Sequence, residues 1–169
     1  MKAIIFLFAC SLLMTQCTYQ KDCCGVPAGN EVEFYLLKSY NAEPFGHFMI
    51  NNPVIEADPF IRFDEIREYD ADNYIFTLKK SAIDKIKPIN EPRAFAVTVD
   101  RRVVYAGFFR QSFLSSSCDC IRIDPQSTLL NDNKILVELG YAPTRDLSDI
   151  DARNDEQLLA TLRRAGKLK

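Results

Sequence analysis

Two runs rich in β-branched and aromatic residues, Ala94-Phe95-Ala96-Val97-Thr98-Val99 and Val103-Val104-Tyr105-Ala106-Gly107-Phe108-Phe109, flank the short polar step at Asp100-Arg101. Apolar runs of this kind, broken by a few polar residues, form antiparallel strands joined by a turn. This hairpin commits the chain to a sheet and gives the rest of the sequence something to pack on. Its turn lacks the Asn-Gly or Asp-Gly that favours a tight type I′ loop, so Arg101 either adopts positive φ or lies in a longer turn.

The flanking sequence supplies more strands and two helices. Val32 to Leu37, with Phe34, Tyr35, Leu36 and Leu37, reads as a buried strand, and Pro53 to Ile55 and Phe60 to Phe63 are short extended candidates. The spacing of Asp64-Glu65-Ile66-Arg67-Glu68-Tyr69 suggests a helical turn. Tyr74 to Leu78 is a strand, followed by a helix over Ser81 to Ile86 that buries Ala82, Ile83 and Ile86 until Pro88 stops it. Ile121 to Ile123 and Lys134 to Leu139 are further strands, separated by the Asp124-Pro125 turn and Asn131-Asp132-Asn133. Asp155 opens a last helix with Leu158, Leu159 and Leu162 on one side, Arg163-Arg164 at its C-terminal end and Gly166 as its stop. The fold class expected is α+β: a small antiparallel sheet with a ferredoxin-like β-α-β-β element and one or two helices on one face.

The N-terminus carries an address. Met1-Lys2 and the apolar run Ala3 to Met14 have the form of a signal peptide, and the run falls short of the about 20 residues a spanning helix needs. Leu13-Met14-Thr15-Gln16 before Cys17 resembles a relaxed bacterial lipoprotein cleavage box, with Met14 and Gln16 at the places usually held by Leu and a small residue. Leu7-Phe8-Ala9-Cys10 fits the box more closely but leaves too short an apolar region. That resemblance implies lipidation at Cys17 and a membrane partner through the N-terminal lipid. With Thr18 rather than aspartate next, it implies an outer-membrane destination. The organisation that follows is a signal peptide over 1–16, a lipid-anchored tether over 17–30, one α+β domain over 31–142, and a polar linker with the C-terminal helix over 143–169.

Two wider resemblances rest on named residues. Pro59 to Phe109, with Ile66 after an acidic residue, the strand Tyr74 to Leu78, the helix after it and the hairpin, looks like the periplasmic head of the SecD-type accessory subunit of the protein-export translocase. That head implies the ferredoxin-like fold. From Glu33 to Tyr141 the chain resembles small bacterial envelope lipoproteins of unknown function. The shared features are the aromatic hairpin, the serine-rich Cys118 segment, Ile123-Asp124-Pro125 and Val137-Glu138-Leu139-Gly140-Tyr141. Those proteins typically carry Asp-Gly where this chain has Asp100-Arg101. Neither resemblance brings a catalytic residue.

Six cysteines in an exported chain read first as disulfides, because oxidising compartments make and keep them. Cys23, Cys24, Cys118 and Cys120 form two tight pairs. A link from tether to sheet suits their geometry, since adjacent cysteines bond each other only with strain; a soft-metal or redox site is the alternative. His47 is the single histidine, which excludes a multi-histidine metal site. A hydrolase would have to pair it with a serine such as Ser116, and no nucleophile-elbow motif is present. Asp64, Glu65 and Glu68 read as a solvated helix face. Tyr105, Phe108, Phe109 and Phe113 offer a possible partner surface, against the plainer reading of core. A net charge of −2 argues against nucleic acid. The expectation is an anchored binding or structural module of the envelope with no cofactor, no catalytic residue and a possible envelope protein partner. Its alternative is a thiol-dependent metal or redox protein, and a hydrolase comes last.

Overall fold

The computed structural model describes residues 28–42, 50–114 and 117–169. The expected signal peptide, Cys17, Cys23, Cys24, His47 and Ser116 lie outside the described residues. The strands are β1 (Val32–Ala42), β2 (Ile50–Ile55), β3 (Ile66–Asp70), β4 (Ile75–Leu78), β5 (Arg93–Val99), β6 (Arg102–Phe109), β7 (Cys118–Ile123), β8 (Lys134–Leu136) and β9 (Glu138–Tyr141). The helices are α1 (Lys80–Ile86) and α2 (Glu156–Arg164). Six strands form one sheet in the order β2-β1-β5-β6-β7-β9, and three form a second in the order β3-β4-β8. All pairs are antiparallel except β6 with β7. The class is α+β. The run β4-α1-β5-β6 occurs in the anticipated order, but its first strand pairs in the second sheet rather than beside the hairpin.

The β5–β6 hairpin closes with Val99 opposite Arg102, a two-residue loop in which Asp100 (φ 49°) and Arg101 (φ 65°) both take left-handed backbone. This is the tight turn that its residue types disfavour. Tertiary bonds hold it: the Asp100 carboxylate accepts from the N–H groups of Asn30 and Glu31 at 2.8 and 3.0 Å. Arg101 donates to the Ala57 carbonyl at 3.0 Å and lies 5.1 Å over the Tyr35 ring.

Between the sheets runs a file of rings. Phe34 of β1 meets Phe76 of β4 edge-on at 5.2 Å and Phe95 of β5 at 6.0 Å, Phe95 meets Phe109 at 4.8 Å, and Tyr69 stacks on Phe76 at 4.2 Å. Ala82, Ile83 and Ile86 of α1 and Leu158 and Leu162 of α2 pack into the same core, with α2 lying against β1 and β5 of the large sheet. A smaller cluster of Ala94, Phe108, Cys118 and Cys120 lies apart from it, flanked by Leu37, Ile50 and Tyr141. β5 is therefore buried on both faces, with even Thr98 at 0% exposure.

Two stretches differ from their sequence reading. Residues 66–70 form strand β3 after a 3₁₀ turn over Phe63–Glu65, in place of a helical turn. The C-terminal helix, whose docking the sequence leaves open, packs on the domain through Leu158 and Leu162, and the polar stretch before it is built into the fold. Asp155 caps α2 by accepting from Gln157 and Leu158 N–H groups at 2.9 and 3.1 Å, and Gly166 (φ 67°) ends it as a left-handed stop. The last residues then run beside β3, with Tyr69 N–H donating to Lys167 O at 2.7 Å and Lys169 N–H to Tyr69 O at 2.9 Å. The stretch before α2, expected to be a linker, buries Leu147 and Arg153, whose guanidinium sits 3.6 Å over the Tyr74 ring and bonds the Val137 carbonyl at 3.0 Å. Among the described residues no helix is long and apolar enough to cross a membrane.

Candidate functional site

The parallel pair β6–β7 is short. Its ladder joins Gly107, Phe108 and Phe109 to Ile121, Arg122 and Ile123. Gly107 permits this closure: a Cβ there would stand 2.3 Å from the Ile121 carbonyl oxygen and 2.8 Å from its carbon. Upstream of that point the two strands part. Val104, Tyr105 and Ala106 form one wall of a cleft and Asp119, Cys120 and Ile121 the other, while Ile50 from β2 and Ile150 and Ala152 from the pre-α2 segment close it. Its volume is about 150 Å³.

Apart from Cys120, two of the lining residues carry polar side chains, Tyr105 and Asp119. Tyr105 is 4% exposed, and its hydroxyl has no hydrogen-bond partner among the described residues. Burial, more than the neighbouring Tyr69 ring, raises this phenol well above its ordinary pKa, so it stays protonated and able to donate. The hydroxyl is closed off from the open space of the cleft as well as from solvent, and belongs to the core between the sheets. The Asp119 carboxylate is fully buried and latches the chain after β9, accepting from Thr144 N–H at 2.8 Å and Thr144 Oγ1 at 2.6 Å.

Cys118 and Cys120 stand on the same side of β7 with their sulfurs adjoining and Cα atoms 5.3 Å apart. Cys120 reaches the cleft wall while Cys118 is buried behind it. Alternation places Arg122 next on that side. It pairs with Glu138 at 2.7 Å, 4.8 Å over the Tyr141 ring. Burial raises the Glu138 pKa while Arg122 opposes it.

Of the four aromatics considered as a partner surface, Tyr105, Phe108 and Phe109 are buried, because alternation and the β1–β2 hairpin give both faces of β6 something to pack on; Phe113 alone is displayed, at 68% exposure. The three carboxylates read as a helix face serve the scaffold. Asp64 pairs with Arg62 and Lys79. Glu65 is 2% exposed and holds α1 through Ser81 and Lys85. Glu68 is exposed on β3. Among the described residues no three His, Cys, Asp or Glu side chains group as metal ligands.

Comparison with protein-family models, characterised proteins and solved structures gives no match. The chemistry of the cleft and of the cysteine pair is therefore what a functional reading draws on. The cleft itself carries no local signal in the sequence, since it arises where two distant strands diverge. Gly107, set in a run of large residues, is the one residue type that hinted at a close backbone approach there.

Proposed function

We propose that this chain is a lipid-anchored binding module of the bacterial envelope that takes a small apolar group into the cleft between β6 and β7. The cleft is the observation that carries the reading, a space between two diverging strands walled by Val104, Ala106, Cys120, Ile121, Ile50 and Ile150. The cleft is of the size that suits one ring or one branched aliphatic group, since an apolar cavity of about 150 Å³ holds a benzene molecule.

Ala106→Leu, which adds bulk at the cleft wall, is the test. The folded variant should bind p-cresol several-fold more weakly than the parent in an amide-shift titration. Unchanged binding, or no binding by the parent, would mean that the cleft takes no such group, and the reading would fall.

The anchor is a separate part of the proposal, supported by the leader and by the way the chain enters the domain. Gly29 N–H donates to Thr161 Oγ1 at 2.9 Å and Arg164 donates to the Ala28 carbonyl at 3.3 Å, so the tether ends at a fixed point beside α2. The eleven residues from Cys17 to that point reach roughly 40 Å when extended. Intact mass of protein purified from membranes should show a diacyl or triacyl adduct that Cys17→Ala abolishes, with the variant released to the soluble fraction; a parent chain of unmodified mass would exclude the anchor.

A second reading is favoured by the adjoining sulfurs of Cys118 and Cys120: a thiol redox protein in which this pair, reached through Cys120, is the working disulfide, with Cys23 and Cys24 as further thiols. Thiol counting under blocking conditions separates the two. A binding module keeps Cys118 and Cys120 oxidised in mild thiol buffer, whereas a working pair is reduced reversibly.

A further inference from the structure

The fork between β6 and β7 coincides with an irregularity in β7. Where β7 pairs with β9, Cys118 stands opposite Tyr141 and Ile121 opposite Leu139. Three steps of β7 are therefore set against two of β9, which is the bulge that one extra residue makes, and a bulge bends the strand that carries it. Cys118 and Cys120 are joined across this bulge by a disulfide, with their Cα atoms 5.3 Å apart. Two residues of a regular strand span roughly 6.6 Å, from a rise of about 3.3 Å each. The bond thus holds β7 shortened at the place where it leaves β6. In the register of Gly107 with Ile121, a continued ladder would set Ala106 opposite Cys120 and Tyr105 opposite Asp119. These four residues line the cleft instead. The bond from Arg110 N–H to the Ile123 carbonyl fixes the phase of the ladder, so its extension would next pair the amides of Ala106 and Asp119.

We infer that the disulfide between Cys118 and Cys120 holds the cleft open, and that its reduction lets β7 straighten, lengthen its ladder along β6 and close the space. This rests on the reading of the cleft as a binding site and names the control of that site. It differs from a working redox pair, because the bond governs binding rather than passing electrons to a substrate. The reductant is a dithiol. One of its thiolates attacks Cys120 Sγ, the sulfur at the cleft wall, and the bond to Cys118 Sγ breaks. The second thiolate then displaces Cys120 Sγ from the mixed disulfide. The dithiol leaves as its own disulfide, and its two protons end on Cys118 and Cys120. Cys118 is 0% and Cys120 3% exposed, so mild thiol buffer leaves the bond intact and a strong dithiol releases it. A ligand that fills the open cleft favours the oxidised form, and by linkage makes the bond harder to reduce.

The probe is p-cresol, titrated into the full chain in its oxidised form, into the same chain reduced by dithiothreitol, and into the double variant Cys118→Ser with Cys120→Ser, while amide shifts and amide exchange are recorded. The oxidised chain should bind it. The reduced chain and the double variant should stay folded, bind at least tenfold more weakly, and exchange the amides of Ala106 and Asp119 more slowly. Saturating p-cresol should lower the reduction potential of the pair by about 30 mV for each tenfold of preference. Binding as tight by the reduced chain or by the double variant as by the oxidised chain would overturn the lock while leaving the binding reading. If none of the three binds, the inference and the binding reading fall together. Loss of the folded amide spectrum in the reduced chain and the double variant alike would also overturn the lock, since the bond would then hold the fold and not the cleft.

Discussion

Gly107→Ala is expected to destabilise the fold by about 3 kcal/mol, at the upper end of what overpacking usually costs. The added methyl would stand 2.3 Å from a backbone carbonyl oxygen rather than from the flexible end of a side chain. Relief needs β6 and β7 to move apart, and their ladder is only three residues long, so the strain falls on the point where the cleft closes. For a chain of this size the midpoint of thermal unfolding should fall by roughly 6–12 °C. Urea denaturation should show a lower midpoint with an unchanged slope. A loss under about 0.5 kcal/mol, below the usual overpacking range, would mean that the strands are not in close contact at Gly107.

The second large effect belongs to Glu65. Its carboxylate is 2% exposed and accepts from Lys85 Nζ at 2.8 Å, Ser81 Oγ at 2.7 Å and Arg62 N–H at 3.0 Å, tying the 3₁₀ turn to α1. Burial pushes its pKa up, but the bonds from Lys85, Arg62 and Ser81 outweigh burial and hold it below the ordinary value of 4.5. Glu65→Ala should cost about 3 kcal/mol, the lower end for breaking a buried pair, because Lys85 is 37% exposed and regains water.

The sign of the pH dependence follows from the lowered pKa. The unfolded chain takes up the proton first, so this carboxylate's contribution is complete above about pH 4.5 and is lost as the pH falls through the folded value. Denaturation of the parent and of Glu65→Gln between pH 7 and pH 3 should show the gap between them narrowing only below about pH 4.5. A gap independent of pH would mean that the group stabilises through packing alone.

The hairpin, α1 with its buried face, and the Asp155 cap were legible because each is written in local spacing. β3 was not. A bulge between Ile66 and Glu68 adds a residue to the strand, so the two buried side chains, Ile66 and Tyr69, fall three apart, which mimics one face of a helix. The parallel pairing of β6 with β7 leaves no local trace, since strand partners far apart in sequence are chosen by the whole core. Arg153 was equally hidden, because an arginine in a polar stretch reads as solvent-facing until an aromatic ring such as Tyr74 comes to lie beneath it. Of the candidate site, Tyr105 and Cys120 were singled out for other reasons, as a display surface and as a staple. Neither residue's neighbours could be assigned before the fork between the strands was known.

The ribbon from Lys134 to Tyr141 serves both sheets. β8 pairs with β4, β9 pairs with β7, and fully buried Val137 between them donates its N–H to Tyr74 O at 2.9 Å. A single continuous strand therefore crosses from one layer to the other with almost no break in its hydrogen bonding. Neither layer can peel away while the other stays whole, because opening one edge drags the shared ribbon off its neighbour. The domain should behave as one cooperative unit of unfolding in which the small sheet, too short to persist alone, borrows its persistence from the large one.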